Sequence, residues 1–298
     1  MVNRFFSNCF FLISILTIPI LANAATFMWH DKGEWAPIQA SQIDPRFQYM
    51  VYAPSSYKET GEKEYTLLVL VHGTERGPWR YIQNNTQFAD ENDLILLAPL
   101  FPANTHGGKD LENYKLINYK DTRYDLVLLS MIDEISSKYR IKDNQFHMFG
   151  FSGGGHFAHR FYYLHPHRLK SVSIGAPGMI TLIDDSADWW VGTKNLYHQF
   201  NSHLNVNAMK KVPIHMVIGE KDVEKWEQKI EEGSPYRMNN EGRANYHWGG
   251  ENRQDKLKSL KENYESMGIT VELETVPNAG HEVDKLFPAL QDFLRQHL

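Results

Sequence analysis

The chain has 298 residues, 42% of them hydrophobic, and a formal net charge of −5. That is enough to bury one sizeable core, and an α/β protein of this length commonly forms a single domain. The mild acidity argues against a nucleic-acid surface, which would show a basic stripe. There is no charged tail, internal repeat or low-complexity tract.

The first segment reads as an export signal. Arg4 precedes the apolar run "FFLISILTIPILANA", and no further charge appears before Asp31. Ala22 and Ala24 form the A-x-A pattern after which signal peptidase cuts, so residues 1–24 are expected to be removed. The alternative is an uncleaved membrane anchor. Cleavage would also remove Cys9, the one cysteine, and leave a chain that needs no disulfide. No other stretch is long and apolar enough to span a bilayer. The expected location is the periplasm or the medium. "NNT" at Asn84 is a glycosylation sequon with meaning only in a eukaryotic secretory pathway.

Residues 25–298 are expected to form the folded domain. "FQYMVYAP" (47–54) predicts an antiparallel strand. "YTLLVLVHG" (65–73) and "DLILLAP" (93–99) are continuous apolar runs, as expected of strands covered on both faces. In "TRYDLVLLSMIDEISSKYR" the spacing of Leu126, Leu129, Ile132 and Ile135 predicts a helix with those residues inward. "QFHMFG" (145–150) is a third buried strand, followed by a helix from Gly153 to about Leu164 that stops at "HPH". "SVSIGAP" (171–177), "VPIHMVIG" (212–219) and "ITVELETVP" (269–277) complete the strands, and "VDKLFPALQDFLRQHL" is a final helix with Pro288 as a point of kinking.

Strands alternating with helices imply right-handed crossovers and a mostly parallel sheet with helices on both faces. Chemistry in such a sheet gathers at the carboxyl ends of the strands. Two long polar and aromatic segments, about 178–211 and 223–252, do not fit simple crossovers and read as lid-like insertions or as surface decoration.

The candidate chemistry starts at "GFSGGG". Ser152 sits in G-x-S-x-G between a strand and a helix, which is the setting of a strained nucleophile turn. Gly150 and Gly154 are expected where the turn leaves no room for a Cβ. A glycine-rich phosphate loop is the competing interpretation, but no lysine follows at the required spacing. A serine nucleophile needs a base, and His281 follows the last strand in "VPNAGHEVDK". The base needs an orienting carboxylate. Asp222 in "VIGEKD" is preferred over Glu220, Glu224, Asp184 and Asp185, because a turn at Gly219 would aim it across the sheet top. His156 and His159 are read as structural rather than metal-binding, and "HPH" as a surface helix end. The oxyanion donors are expected to be the Gly153 amide and the Thr74 amide in "VHGTERGPWRY". Arg76, Trp79, Arg80 and Tyr81 would line one edge of the mouth, or form a solvated turn with an aromatic anchor. Trp189, Trp190, Tyr236, Tyr246 and Trp248 would wall a pocket for an aryl, lactone or bulky ester, or pack the insertions onto the body. No cofactor or metal is called for.

With these residues assembled, the chain resembles the α/β-hydrolase superfamily: "LVLVHGTERG", "GFSGGG", "GEKD" and "NAGHEV" match its oxyanion loop, elbow, acid and base. Within it the chain is similar to secreted bacterial esterases of the polyhydroxybutyrate depolymerase and feruloyl esterase type, including "GAPG" at 175–178. The resemblance implies a serine esterase acting on a small-molecule carboxylic ester through an acyl-enzyme. The chain departs from the depolymerases in lacking mature cysteines and a separate polymer-binding module. The alternatives are a serine peptidase or amidase on the same fold, and a non-catalytic binding protein.

Overall fold

A computed structural model describes residues 38–108, 110–225 and 249–298. The expected signal segment, Tyr236, Tyr246 and Trp248 lie outside the described residues. Among the described residues the strands are β1 (Gln39–Ala40), β2 (Gln48–Tyr52), β3 (Tyr65–Val71), β4 (Leu94–Leu100), β5 (Asn118–Tyr119), β6 (Thr122–Arg123), β7 (Ile141–Phe151), β8 (Leu169–Gly175), β9 (Ile214–Gly219) and β10 (Val271–Val276). The helices are α1 (Pro78–Gln83), α2 (Thr86–Asn92), α3 (Tyr124–Ser136), α4 (Gly153–Leu164), α5 (Leu196–Phe200), α6 (Val206–Met209), α7 (Arg253–Ser266) and α8 (Val283–Arg295).

Eight strands form one sheet in the order β1-β2-β4-β3-β7-β8-β9-β10. β1 and β2 run antiparallel, and every pairing from β4 to β10 is parallel. β3, β4 and β9 are almost wholly buried, which explains their unbroken apolar sequence: helices cover both faces. β10 is the edge, and its Glu272 and Thr275 face solvent, where a charge discourages pairing with another chain.

The apolar residues of α8 recur at Val283, Leu286, Phe287, Leu290, Phe293 and Leu294, and all are buried. Each such side chain stabilises the fold by roughly 1.5–3 kcal/mol. Pro288 lies inside this helix. α3 corrects the sequence reading. Its inward face carries Tyr124, Val127, Leu128, Met131, Ile132 and Ile135, whereas Leu126 is 49% exposed. In "DLVLLSMI" the polar residues are Asp125 and Ser130, and Asp125 is itself buried, so the pattern fixes the phase of the helix loosely and packing on the sheet chose the face.

β1, α1, α2 and the β5–β6 hairpin were not expected from the pattern; each is seven residues or shorter, too short to show a period. The segment 178–211 contains α5 and α6 and is fastened to the body. Asn263 of α7 accepts from the Ile183 N–H and donates to the Ile183 carbonyl, at 2.8 and 3.1 Å. The N–H groups of Met179 and Thr181 donate to His156 and His159 of α4, each at 3.0 Å. Of the insertion at 223–252, only 223–225 and 249–252 are described.

Candidate active site

β7 runs straight into α4 through Ser152, whose φ of 55° and ψ of −113° lie outside the regions an L-residue ordinarily adopts. The turn holds because backbone packs on backbone. A Cβ on Gly154 would sit 2.1 Å from the Val71 carbonyl oxygen at the end of β3, and one on Gly150 would sit 2.0 Å from the Gly154 carbonyl oxygen. The Ser152 N–H donates to the Gly175 carbonyl at 2.8 Å, which ties the turn to β8. The serine is thereby pushed to the carboxyl edge of the sheet at the head of a twelve-residue helix, where free N–H groups favour negative charge.

Two residues from the far side of the sheet complete the arrangement. Ser152 Oγ lies 2.9 Å from His281 Nε2, and His281 Nδ1 lies 2.6 Å from Asp222 Oδ2. A carboxylate only accepts, so Nδ1 carries the proton and Nε2 is free to accept from the serine hydroxyl. The Phe151 ring lies against the imidazole at 4.6 Å. The turns that deliver the acid and the base are themselves joined: the Lys221 N–H donates to the Ala279 carbonyl at 2.7 Å, and the Glu220 N–H to the Val276 carbonyl at 3.0 Å. Burial alone would raise the Asp222 carboxyl, but His281 and Arg253 outweigh it and hold it below the ordinary value. Two of its rivals are engaged elsewhere. Glu220 accepts from the Asn278 N–H, and Asp184 caps Ser186 in its own loop.

The expected oxyanion residues also meet. A Cβ on Gly153 would lie 3.2 Å from Thr74 Oγ1, 2.4 Å from the Tyr114 hydroxyl and 2.9 Å from Lys115 Cε. The loop that carries Thr74 is braced by Arg76, which donates to the carbonyls of Phe101 (2.8 Å), Thr74 (2.7 Å) and Leu111 (2.9 Å) and to Asn113 Oδ1 (3.2 Å). Arg76 thus braces this loop through contacts that its place near the mouth did not indicate. Tyr81 takes the alternative role of an aromatic anchor: it is fully buried, and its hydroxyl accepts from the Gly73 N–H at 3.0 Å. Arg80 reaches Asp284 of α8, and Trp79 is 52% exposed at the rim.

Trp190 is buried against Leu116 and Met179. Trp189 is half-buried, and its indole N–H donates to the Leu116 carbonyl at 3.1 Å. Both rings cover the guanidinium of Arg160, fully buried on α4, at 5.8 and 5.7 Å. The two tryptophans therefore fasten their segment to the 114–116 turn and to α4. His156 and His159 are kept neutral by burial and accept backbone N–H groups, the structural role read from the sequence. His165 is corrected: its Nε2 lies 2.7 Å from the buried Asp125, not at a free surface.

Sequence reasoning missed Arg253, whose Nη1 donates to Asp222 Oδ1 at 2.7 Å, and Lys115, a buried lysine paired with Glu112 at 2.7 Å. Neither belongs to a motif; each arrives from a segment remote in sequence. A second serine–histidine pair, Ser173 Oγ to His215 Nδ1 at 2.9 Å, lies inside the sheet, with both side chains sealed from solvent.

Solved structures share this arrangement of strands and helices. A poly(aspartic acid) hydrolase from Sphingomonas sp. KT-1 superposes with a TM-score of 0.65 at 17% identity, over 83% of this chain and 92% of its own. A poly(3-hydroxybutyrate) depolymerase from Bordetella parapertussis gives 0.64 at 19% identity, over 84% of each chain. The chain has the α/β-hydrolase fold. A ferulic acid esterase with this hydrolase fold gives 0.61 at 16% identity, over 90% of this chain and 99% of its own. No family model and no curated protein sequence matches the chain. Ser152, Asp222 and His281 lie beyond the carboxyl ends of the strands, the side on which open α/β sheets in general bind ligands.

Proposed function

We propose that the protein is a serine hydrolase that cleaves carboxylic esters. The observation that carries this reading is the unbroken hydrogen-bond chain from Ser152 Oγ through His281 to Asp222. In the proposed reaction Ser152 attacks the ester carbonyl carbon while His281 Nε2 takes the hydroxyl proton. Asp222 fixes the tautomer and stabilises the imidazolium. The Gly153 and Thr74 amides receive the oxyanion. His281 returns the proton to the departing alcohol. It then takes a proton from water, whose oxygen attacks the acyl carbon, and gives that proton to Ser152 Oγ as the acyl–oxygen bond breaks and the acid is released. Trp189, with Trp248 on the second insertion, is proposed to wall the acyl or alcohol pocket.

The test is intact-mass spectrometry after exposure to a fluorophosphonate. One adduct on Ser152, absent from Ser152→Ala and strongly slowed in His281→Ala, is the expected result. A folded protein that takes no label is a binding protein on this scaffold, and the proposal falls. Cleavage of amides is a second reading, favoured by the likeness to a hydrolase of poly(aspartic acid), an amide-linked chain. Matched ester and anilide substrates separate the two, and the ester is expected to turn over faster.

The single domain at 25–298 and export with removal of residues 1–24 belong to the same proposal. A mature N-terminus at Ala25 in the periplasmic fraction or the medium is the expected observation. No helix among the described residues is long and apolar enough to cross a membrane.

A further inference from the structure

Arg253 opens α7 and is buried, yet it belongs to no motif. Its Nη1 donates to Asp222 Oδ1 at 2.7 Å, while the other carboxylate oxygen, Oδ2, lies 2.6 Å from His281 Nδ1. The next residue, Gln254, donates to the Gly219 carbonyl at 2.9 Å and the Glu220 carbonyl at 2.8 Å. The first turn of α7 therefore holds both the carboxylate and the backbone turn that presents it. Asn252 caps that turn by accepting from the Asp255 N–H.

We propose that Arg253 is a positioning residue: it takes one oxygen of Asp222, leaves the other to His281, and so fixes the plane of the carboxylate that orients the base. This rests on the serine-hydrolase reading above. The physical reason is direct. A buried carboxylate with a single partner can rotate and share either oxygen; a second, charged partner on the opposite oxygen fixes the plane.

Other charged groups surround the pair. Asp255 and Lys256 lie on α7 itself, and burial lowers Lys256 to about 8. His156 on α4 is held neutral by burial, then by Arg160, Lys115 and Arg253. Lys115 is paired with Glu112. Glu282 beside His281 is paired with Lys285, Glu220 accepts from the Asn278 N–H, and Lys221 donates to Asn278 Oδ1. Among the described residues, Arg253 is the cation in direct contact with Asp222 apart from the base itself.

The experiment measures kcat and KM for p-nitrophenyl butyrate from pH 5 to 9, with active sites counted by fluorophosphonate, in the wild type and in Arg253→Met, Arg253→Gln and Arg253→Lys. Arg253 does not touch substrate, so KM is expected to stay within about twofold. In the Met and Gln variants kcat per active site falls on the order of tenfold to hundredfold. Arg253→Lys, which keeps a charged donor for Asp222, restores most of that loss. If Arg253→Met does not fold, the Gln variant shows the same fall in kcat. An unchanged kcat per active site, with only melting temperature or labelled fraction reduced, overturns this inference alone. Failure of the wild type to label overturns the serine-hydrolase reading and this inference with it.

Discussion

The two halves of the site are held by different forces. On the Ser152 side, backbone lies on backbone: α4, β3 and β8 approach until a single Cβ at Gly150 or Gly154 would overlap a carbonyl oxygen. On the His281–Asp222 side, side chains do the holding. Arg253, Gln254 and the ring of Phe151 fix a carboxylate and an imidazole that stand on separate loops. A close-packed half is damaged by adding atoms, and a polar half by taking them away.

Substitutions can break or sharpen that contrast. The largest effect is expected at Gly154→Ala. The new methyl meets the Val71 carbonyl oxygen in a strand that cannot move without disturbing the whole sheet, so stability falls by about 4 kcal/mol. Urea denaturation measures it, and a loss under 1 kcal/mol would mean that the elbow is looser than its contacts imply.

Next comes Asp222→Ala. It leaves the buried Arg253 guanidinium without its carboxylate, at a cost of about 3 kcal/mol, and lowers kcat about 10⁴-fold by freeing the imidazole tautomer. Burial opposes ionisation of Asp222, but His281 and Arg253 prevail, so its folded pKa lies below the ordinary 3.8. For a carboxyl lowered in the folded state, the stabilisation is present at neutral pH and is lost only as pH falls through that lowered value. The stability difference between wild type and variant is therefore expected to hold from pH 8 to pH 5 and to shrink in stronger acid.

The smallest effect is expected at Arg80→Ala. The Arg80–Asp284 pair, at 2.6 Å, bridges the helix after the oxyanion loop and the helix after the base. It joins the two halves, but both side chains are about two-fifths exposed, where such a pair contributes under about 1 kcal/mol. Melting temperature and kcat are expected to stay near wild type. A large loss would show that the halves depend on one another through this contact.

The contrast also explains what could be read from the chain. The elbow was legible because its constraint is local: glycines crowd around one serine within six residues, and a strand and a helix flank them. The buried strands were legible because a strand covered on both faces must be apolar at every position. The acid and base were picked out by their place after the last two strands, and the structure brings the two side chains together with Ser152. Arg76, Tyr81 and the tryptophan pair were read from their position near the mouth, and position alone does not say which way a side chain turns. Arg76 turned to loop carbonyls, Tyr81 to the core, and Trp190 to Leu116 and Met179.

By itself, then, the sequence determined the buried strands, the helices α3, α4 and α8, the parallel character of the sheet and the strained serine turn, because periodicity and glycine placement act over a few residues; α7 was not among the expected helices. Only the tertiary structure decided the inward face of α3, the fastening of 178–211 by His156, His159 and Asn263, and the meeting of Arg253 with Asp222. Those outcomes depend on pairings between segments tens of residues apart, where a buried charge or N–H must find a partner and no local pattern records which one it finds.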